Sequence, residues 1–171
     1  VVCIELLANG LTNVADFHSD VIYSSYSSYH NFMDKIRPTV DYLLENDTSF
    51  YRMEKINHRR ANDNMALGIK GLTNSSSTLN KETVGILNQF GYSSAAHKSS
   101  YYGGNPVNDS LLGLRYIVAD AAKAGDKLTE NDSLKSMMSR YYELFAYDDN
   151  YNAYYNPYAL SLAYRVSGKV K

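Results

Sequence analysis

The spacing of the His, carboxylate, Arg and Tyr side chains narrows the chemistry open to this chain. The four histidines, His18, His30, His58 and His97, stand apart from one another. No two share a helical turn or an H-x-H strand spacing, so no His-based metal site is set out, and surface histidines are expected. The single cysteine, Cys3, excludes a Cys-based zinc site and a disulfide framework. Asp148, Asn150 and Asn152 match the first three ligand positions of an EF-hand loop. However, Ala153 stands where the loop needs Gly and Ala159 where it needs a bidentate Glu, so a hairpin turn is expected there and no metal. Glu54, between Arg52 and Lys55, reads as a partner in a surface ion pair rather than a catalytic acid. The chain has no nucleophile-elbow motif, P-loop or dinucleotide fingerprint. It therefore assigns no catalytic residue and calls for no cofactor.

Two loops are denser in polar and aromatic groups. They are Arg59-Arg60-Ala61-Asn62-Asp63-Asn64 and Ser99-Ser100-Tyr101-Tyr102-Gly103-Gly104-Asn105. Tyr faces stack on sugar rings, and Asn, Asp and Arg direct hydrogen bonds at hydroxyls. Arg59, Asn62, Asp63, Tyr101, Tyr102 and Asn105 are the candidate substrate-binding residues. The same composition also serves plain structure, with Tyr filling the edge of a core and Asn and Gly making turns.

These loops need elements to position them. Phe32, Met33, Ile36, Val40, Leu43 and Leu44 recur at spacings of three and four, which predicts a helix from about Tyr29 to Asn46. Pro38 predicts a kink or a fresh start within it. Phe50–Ile56 alternates as a half-buried strand, and Met65–Leu72 is a second strand candidate weakened by Gly68 and Gly71. Asn80 or Thr78 caps a helix carrying Leu79, Val84, Leu87 and Phe90, with Gly91 as its left-handed stop. Residues 93–106 read as loop, with a short helical turn capped by Asn108 or Asp109. Leu114–Ala119 is the most β-like run and predicts a central strand. Asn131-Asp132-Ser133 caps a further helix. Tyr141–Tyr147, Tyr151–Tyr155 and Leu160–Val166 read as C-terminal strands. The class is α+β, a single mixed β-sheet packed with helices as an α/β sandwich.

Composition sets the outer bounds. The chain has 171 residues, 44% of them hydrophobic, 20% charged and 13% aromatic, which suits a folded domain with a real core. A net charge of -1 excludes an electrostatically driven nucleic-acid binder. No apolar run is long enough to span a bilayer. The opening run Val1–Ala8 is either an element packed on the core or the end of a membrane helix, and residues 11–28 read as a linker. This divides the chain into a segment over 1–28, membrane-proximal on the second reading, and one domain over 29–171.

Six phrases in order carry a resemblance. They are Phe50–Lys55, Arg59–Asn64, Gly71–Ser77, Tyr102–Val107, Ser110–Val118 and Tyr155–Leu160. Together they resemble the extracytoplasmic region of the YfhO family of bacterial polytopic membrane proteins, over roughly residues 48–118 and 150–165. The resemblance implies a parent similar to GT-C glycosyltransferases, which move a sugar from a polyprenyl-phosphate carrier onto a polymer such as teichoic acid. It implies an extracytoplasmic domain of a cell-membrane protein, with Val1–Ala8 as the end of a membrane helix. The partners implied are a glycan or polyprenyl-linked sugar, and the membrane through helices outside this chain. No catalytic Asp of the family is matched here, so the domain is expected to assist acceptor binding or shape the site. Arg59–Asn64 and Tyr101–Asn105 are then expected to share one rim of the sheet as a Tyr-lined shelf. The rival readings are a wall- or carbohydrate-binding module without transfer, and a purely structural domain.

Overall fold

The first turn of the chain is already helical. A computed structural model describes residues 1–20, 24–121, 130–161, 163–165 and 167. Its contacts divide into two units, Val1–Asp34 and Lys35–Lys171.

In the first unit, α1 (Val2–Asp20) occupies much of the stretch expected to be a linker, so residues 11–20 are helical rather than irregular. The reason lies in the spacing. Ile4, Leu7, Leu11 and Val14 recur at three and four, a helical stripe that the polar residues between them obscure. Those polar groups turn back on the helix: Thr12 donates to the Ala8 carbonyl at 2.8 Å, and the Asn13 amide to Asn9 Oδ1 at 3.0 Å. The apolar stripe stays exposed, at 65–72% of each residue's surface. Among the described residues, no helix is long and apolar enough to cross a membrane.

Helix α2 (Tyr26–Asn46) runs through Pro38 without restarting, and ends where the sequence predicts. Within the second unit it buries Ile36, Val40 and Leu43 completely. The second unit is built on a four-stranded sheet of β1 (Arg52–Lys55), β5 (Leu114–Asp120), β7 (Tyr151–Tyr155) and β6 (Glu143–Tyr147), in that spatial order. The β1–β5 pair is parallel and the other pairs are antiparallel, so the sheet is mixed. Strand β5 lies inside the sheet, as its apolar run predicts. Its pairing with β1 slips by one residue after Arg52, and Leu114 thereby joins Ile117 and Ala119 in one core cluster with Leu87, Met138 and Tyr154. On the opposite face of the sheet from Ile117, Tyr51, Phe145 and Tyr155 ring Tyr116 with centroids 5.1–5.6 Å away.

The parallel pair forces a long crossover between β1 and β5. Its first element is α3 (Asp63–Leu67), which corrects the strand expected over Met65–Leu72: Asp63 sits in the first turn and Gly68, at φ 74°, stops the helix in the left-handed region. Next comes β2 (Asn74–Ser75), and then α4 (Lys81–Gln89), whose N-cap is Asn80, its side chain accepting from the Glu82 and Thr83 amides. Strands β3 (Ser93–Ala95) and β4 (Lys98–Ser100) form a hairpin where a loop is expected, and with β2 they make a second, three-stranded antiparallel sheet. The α+β class holds, but the single sheet becomes two. Helix α5 (Pro106–Leu111) is capped by Asn105 rather than by Asn108 or Asp109. Helix α6 (Glu130–Tyr141) precedes β6 and already includes Asn131, Asp132 and Ser133. The expected strand over 160–166 is absent at its described residues. At the β6–β7 turn, Asp148 accepts from the Asn150 and Tyr151 amides at 2.6 and 2.7 Å, and from the Thr39 hydroxyl at 2.6 Å. Its carboxylate is thus committed to the hairpin.

Candidate functional site

The loop that leaves β1 opens at the carboxyl end of the parallel pair, the edge where α/β sheets tend to place their sites. What holds this loop is Glu54, and here the surface ion-pair expectation is corrected. Glu54 has no exposed surface. One carboxylate oxygen accepts from His58 Nε2 at 2.7 Å and from the Asn64 amide at 2.9 Å. The other accepts from the backbone amides of Leu72 and Thr73 at 2.5 and 3.0 Å. A buried carboxylate is tolerable only with this density of donors. Gly71 is required beside it, because an added Cβ would fall 2.1 Å from Asn64 Nδ2 and 2.8 Å from Glu54 Oε2.

A second buried carboxylate, Asp63, accepts from the Arg60 amide at 3.0 Å. It also stands 4.0 Å from Arg59 Nη2 and 4.0 Å from His58 Nδ1. His58 is therefore held between two buried acids. Asn62 ties the same loop to β2 in both directions, donating to the Ser75 carbonyl at 3.1 Å and accepting from its amide at 2.8 Å.

The second loop divides its two tyrosines. Tyr101 is 4% exposed and donates its hydroxyl to Asp109 at 2.5 Å, beside Tyr92 at 2.7 Å and Tyr142 at 2.6 Å on the same carboxyl group. Burial pushes the Asp109 carboxyl above its ordinary range despite these three donors, and pushes all three phenols upward. Gly104 is needed where the chain crosses the Tyr101 ring, since a Cβ would meet it at 2.5 Å. Tyr102 points the other way and is 60% exposed.

The two loops meet. His58, Arg59, Arg60 and Ala61 from the first, with Thr73, Lys98, Ser100 and Tyr102, line one cleft of about 240 Å³. Of the six candidate residues, Arg59 and Tyr102 line this cleft. Asp63 and Asn62 brace its first wall, Asn105 caps α5 by accepting from the Asn108 amide at 3.0 Å, and Tyr101 is turned into the core. His58, Arg60, Lys98 and Ser100 line the cleft without being among the six candidates. Arg60 and Ser100 fall within the two polar loops, while Lys98 lies on β4, where a loop is expected. The cleft can take a small polar group, being smaller than the roughly 300–1,000 Å³ of a pocket for a drug-sized ligand. Among the described residues, no three His, Cys, Asp or Glu side chains gather as a metal set.

A family model described as bacterial membrane protein YfhO matches residues 1–171. No curated protein and no solved structure matches the chain.

Proposed function

The chain belongs to the YfhO family of bacterial membrane proteins, and from that membership we propose that it is the extracytoplasmic part of a polytopic parent that resembles lipid-linked-sugar glycosyltransferases. In this reading it holds a stretch of acceptor glycan, a teichoic-acid-like polymer, close to the membrane. The sugar transfer belongs to the membrane part, which also meets the polyprenyl-linked donor. The exposed apolar stripe of α1, formed by Ile4, Leu7, Leu11 and Val14, supports a membrane-proximal position for this helix.

The observation that carries the glycan reading is the cleft itself, where Arg59 and Arg60 of one loop and Tyr102 of the other line a common space. Tyr102 offers a solvent-facing ring for a sugar face, and the arginines offer donors for hydroxyls. A single small cleft binds weakly, so the polymer is held by repetition along its length or by the rest of the parent.

The test is Tyr102→Ala in the full-length protein, with polymer glycosylation measured in cells. A several-fold loss of glycosylation at unchanged protein level is expected. Normal glycosylation by the variant overturns the reading and leaves a structural domain.

A further inference from the structure

The cleft is positively charged, and its charges are unequally compensated. Its lining has four basic side chains, His58, Arg59, Arg60 and Lys98, and no carboxylate. Behind the wall stand Glu54 and Asp63, both buried. Glu54 lies 2.7 Å from His58, and Asp63 lies 4.0 Å from Arg59. Those two acids face the two inner basic groups, His58 and Arg59. Arg60 and Lys98 are exposed at the mouth, and among the described residues no ion pair involves either of them. The chain as a whole has a net charge of -1, so this concentration of positive charge is local.

We infer that the cleft is a phosphate site: Arg60 and Lys98 clasp the phosphate group of a phosphate-bearing ligand, with the Ser100 and Tyr102 hydroxyls as further donors. The chemistry favours phosphate over a neutral sugar hydroxyl. Two uncompensated cations and several hydroxyls suit a group with three or four acceptor oxygens and a full negative charge. A neutral ligand would leave both cations unanswered. The cleft volume of about 240 Å³ suits a phosphate with one attached small group. The inner pairs give the site its rigidity: Glu54 fixes His58, and Asp63 accepts from the Arg60 backbone amide, so the Arg60 side chain starts from a fixed base. This inference deepens the glycan reading and rests on it for the origin of the ligand, since the phosphate can belong either to the polymer or to a lipid headgroup.

The test titrates the full chain with inorganic phosphate, glycerol phosphate, glycerol and vesicles containing phosphatidylglycerol, using calorimetry for the soluble probes and sedimentation for the vesicles. Circular dichroism verifies folding. Binding of the two soluble phosphates but not glycerol is expected, with affinity falling as salt rises. The double variant Arg60→Gln/Lys98→Gln should bind at least roughly tenfold more weakly at an unchanged melting temperature. Phosphate binding without vesicle binding assigns the soluble or polymer source, and vesicle binding abolished by the double variant assigns the lipid source. No binding of any phosphate probe, or binding unaffected by the double variant, overturns the inference. Such a result leaves the glycan reading to the Tyr102→Ala experiment. Phosphate binding together with normal glycosylation by Tyr102→Ala overturns the glycan reading alone.

Discussion

His58 Nε2, on a ring that lines the open cleft, stands 2.7 Å from Oε1 of Glu54, a carboxylate with no exposed surface. The contact ties the surface of the site to the interior of the second unit. Because Glu54 also receives the Leu72 and Thr73 amides, one side chain holds the exit of β1 and the segment leading to β2 together.

Replacing Glu54 by Ala should therefore be costly. It strands His58, the Asn64 amide and two backbone N–H groups without their acceptor. A loss of about 3–5 kcal/mol is expected, as for removal of one partner from a buried pair. Urea unfolding measures it, and a loss below about 1 kcal/mol would show that water or neighbouring groups replace the carboxylate.

Gly71→Ala tests the same junction by volume. The added methyl has to displace Asn64 and Glu54, and a destabilisation of about 1–3 kcal/mol is expected from overpacking. An unchanged midpoint in denaturant would mean that the loop yields freely.

The adjacent tyrosines should separate cleanly. Tyr101→Phe removes a buried hydroxyl from Asp109 and should cost about 1–3 kcal/mol. Tyr102→Phe, at an exposed ring, should stay within about 0.5 kcal/mol. Equal effects in thermal unfolding would contradict the opposite orientations of the two rings.

Acid should reveal Asp47. Burial pushes its carboxyl up, but hydrogen bonds from Ser49 and the Arg115 guanidinium at 2.8 Å outweigh it and hold the group at about 2. A folded-state pKa below the unfolded one adds stability above the ordinary carboxylate range, and that stability is lost as pH falls through the folded value. The stability gap between wild type and Asp47→Asn should be constant above about pH 5 and close between about pH 4 and pH 2. A gap independent of pH would show that the Asp47 charge contributes nothing.

The elements with strong local signals were legible in the sequence. Leu114–Ala119 groups Tyr116, Ile117 and Val118, residue types that favour strands, and it forms the interior strand. Asn80 and Gly91 mark the ends of α4 by cap chemistry alone. Where local signals conflict with distant partners, the sequence misleads. Glu54 sits between two charged residues and looks solvated, yet its partners come from positions 58, 64, 72 and 73, which nothing adjacent announces. Along the extended Tyr101-Tyr102 pair, alternation says that one ring faces in and one out, but not which, and Asp109 decides it. Half of the cleft was visible as a polar loop. Lys98 was not, because a Ser-rich hairpin looks like any loop until β2 pairs with it.

The parallel pairing of β1 with β5 also bears on the order of assembly. Strands β6 and β7 need only a short turn to meet, so they can pair early in folding. Strand β1 has to wait for the whole crossover to close before it finds β5, and such distant pairings are slow. The cleft hangs on the end of β1 and is built from that same crossover, so binding competence should be the last property a refolding chain acquires. In pulsed hydrogen exchange, amides of Tyr151–Tyr155 should gain protection before those of Met53–Lys55, and the reverse order would refute this sequence of events.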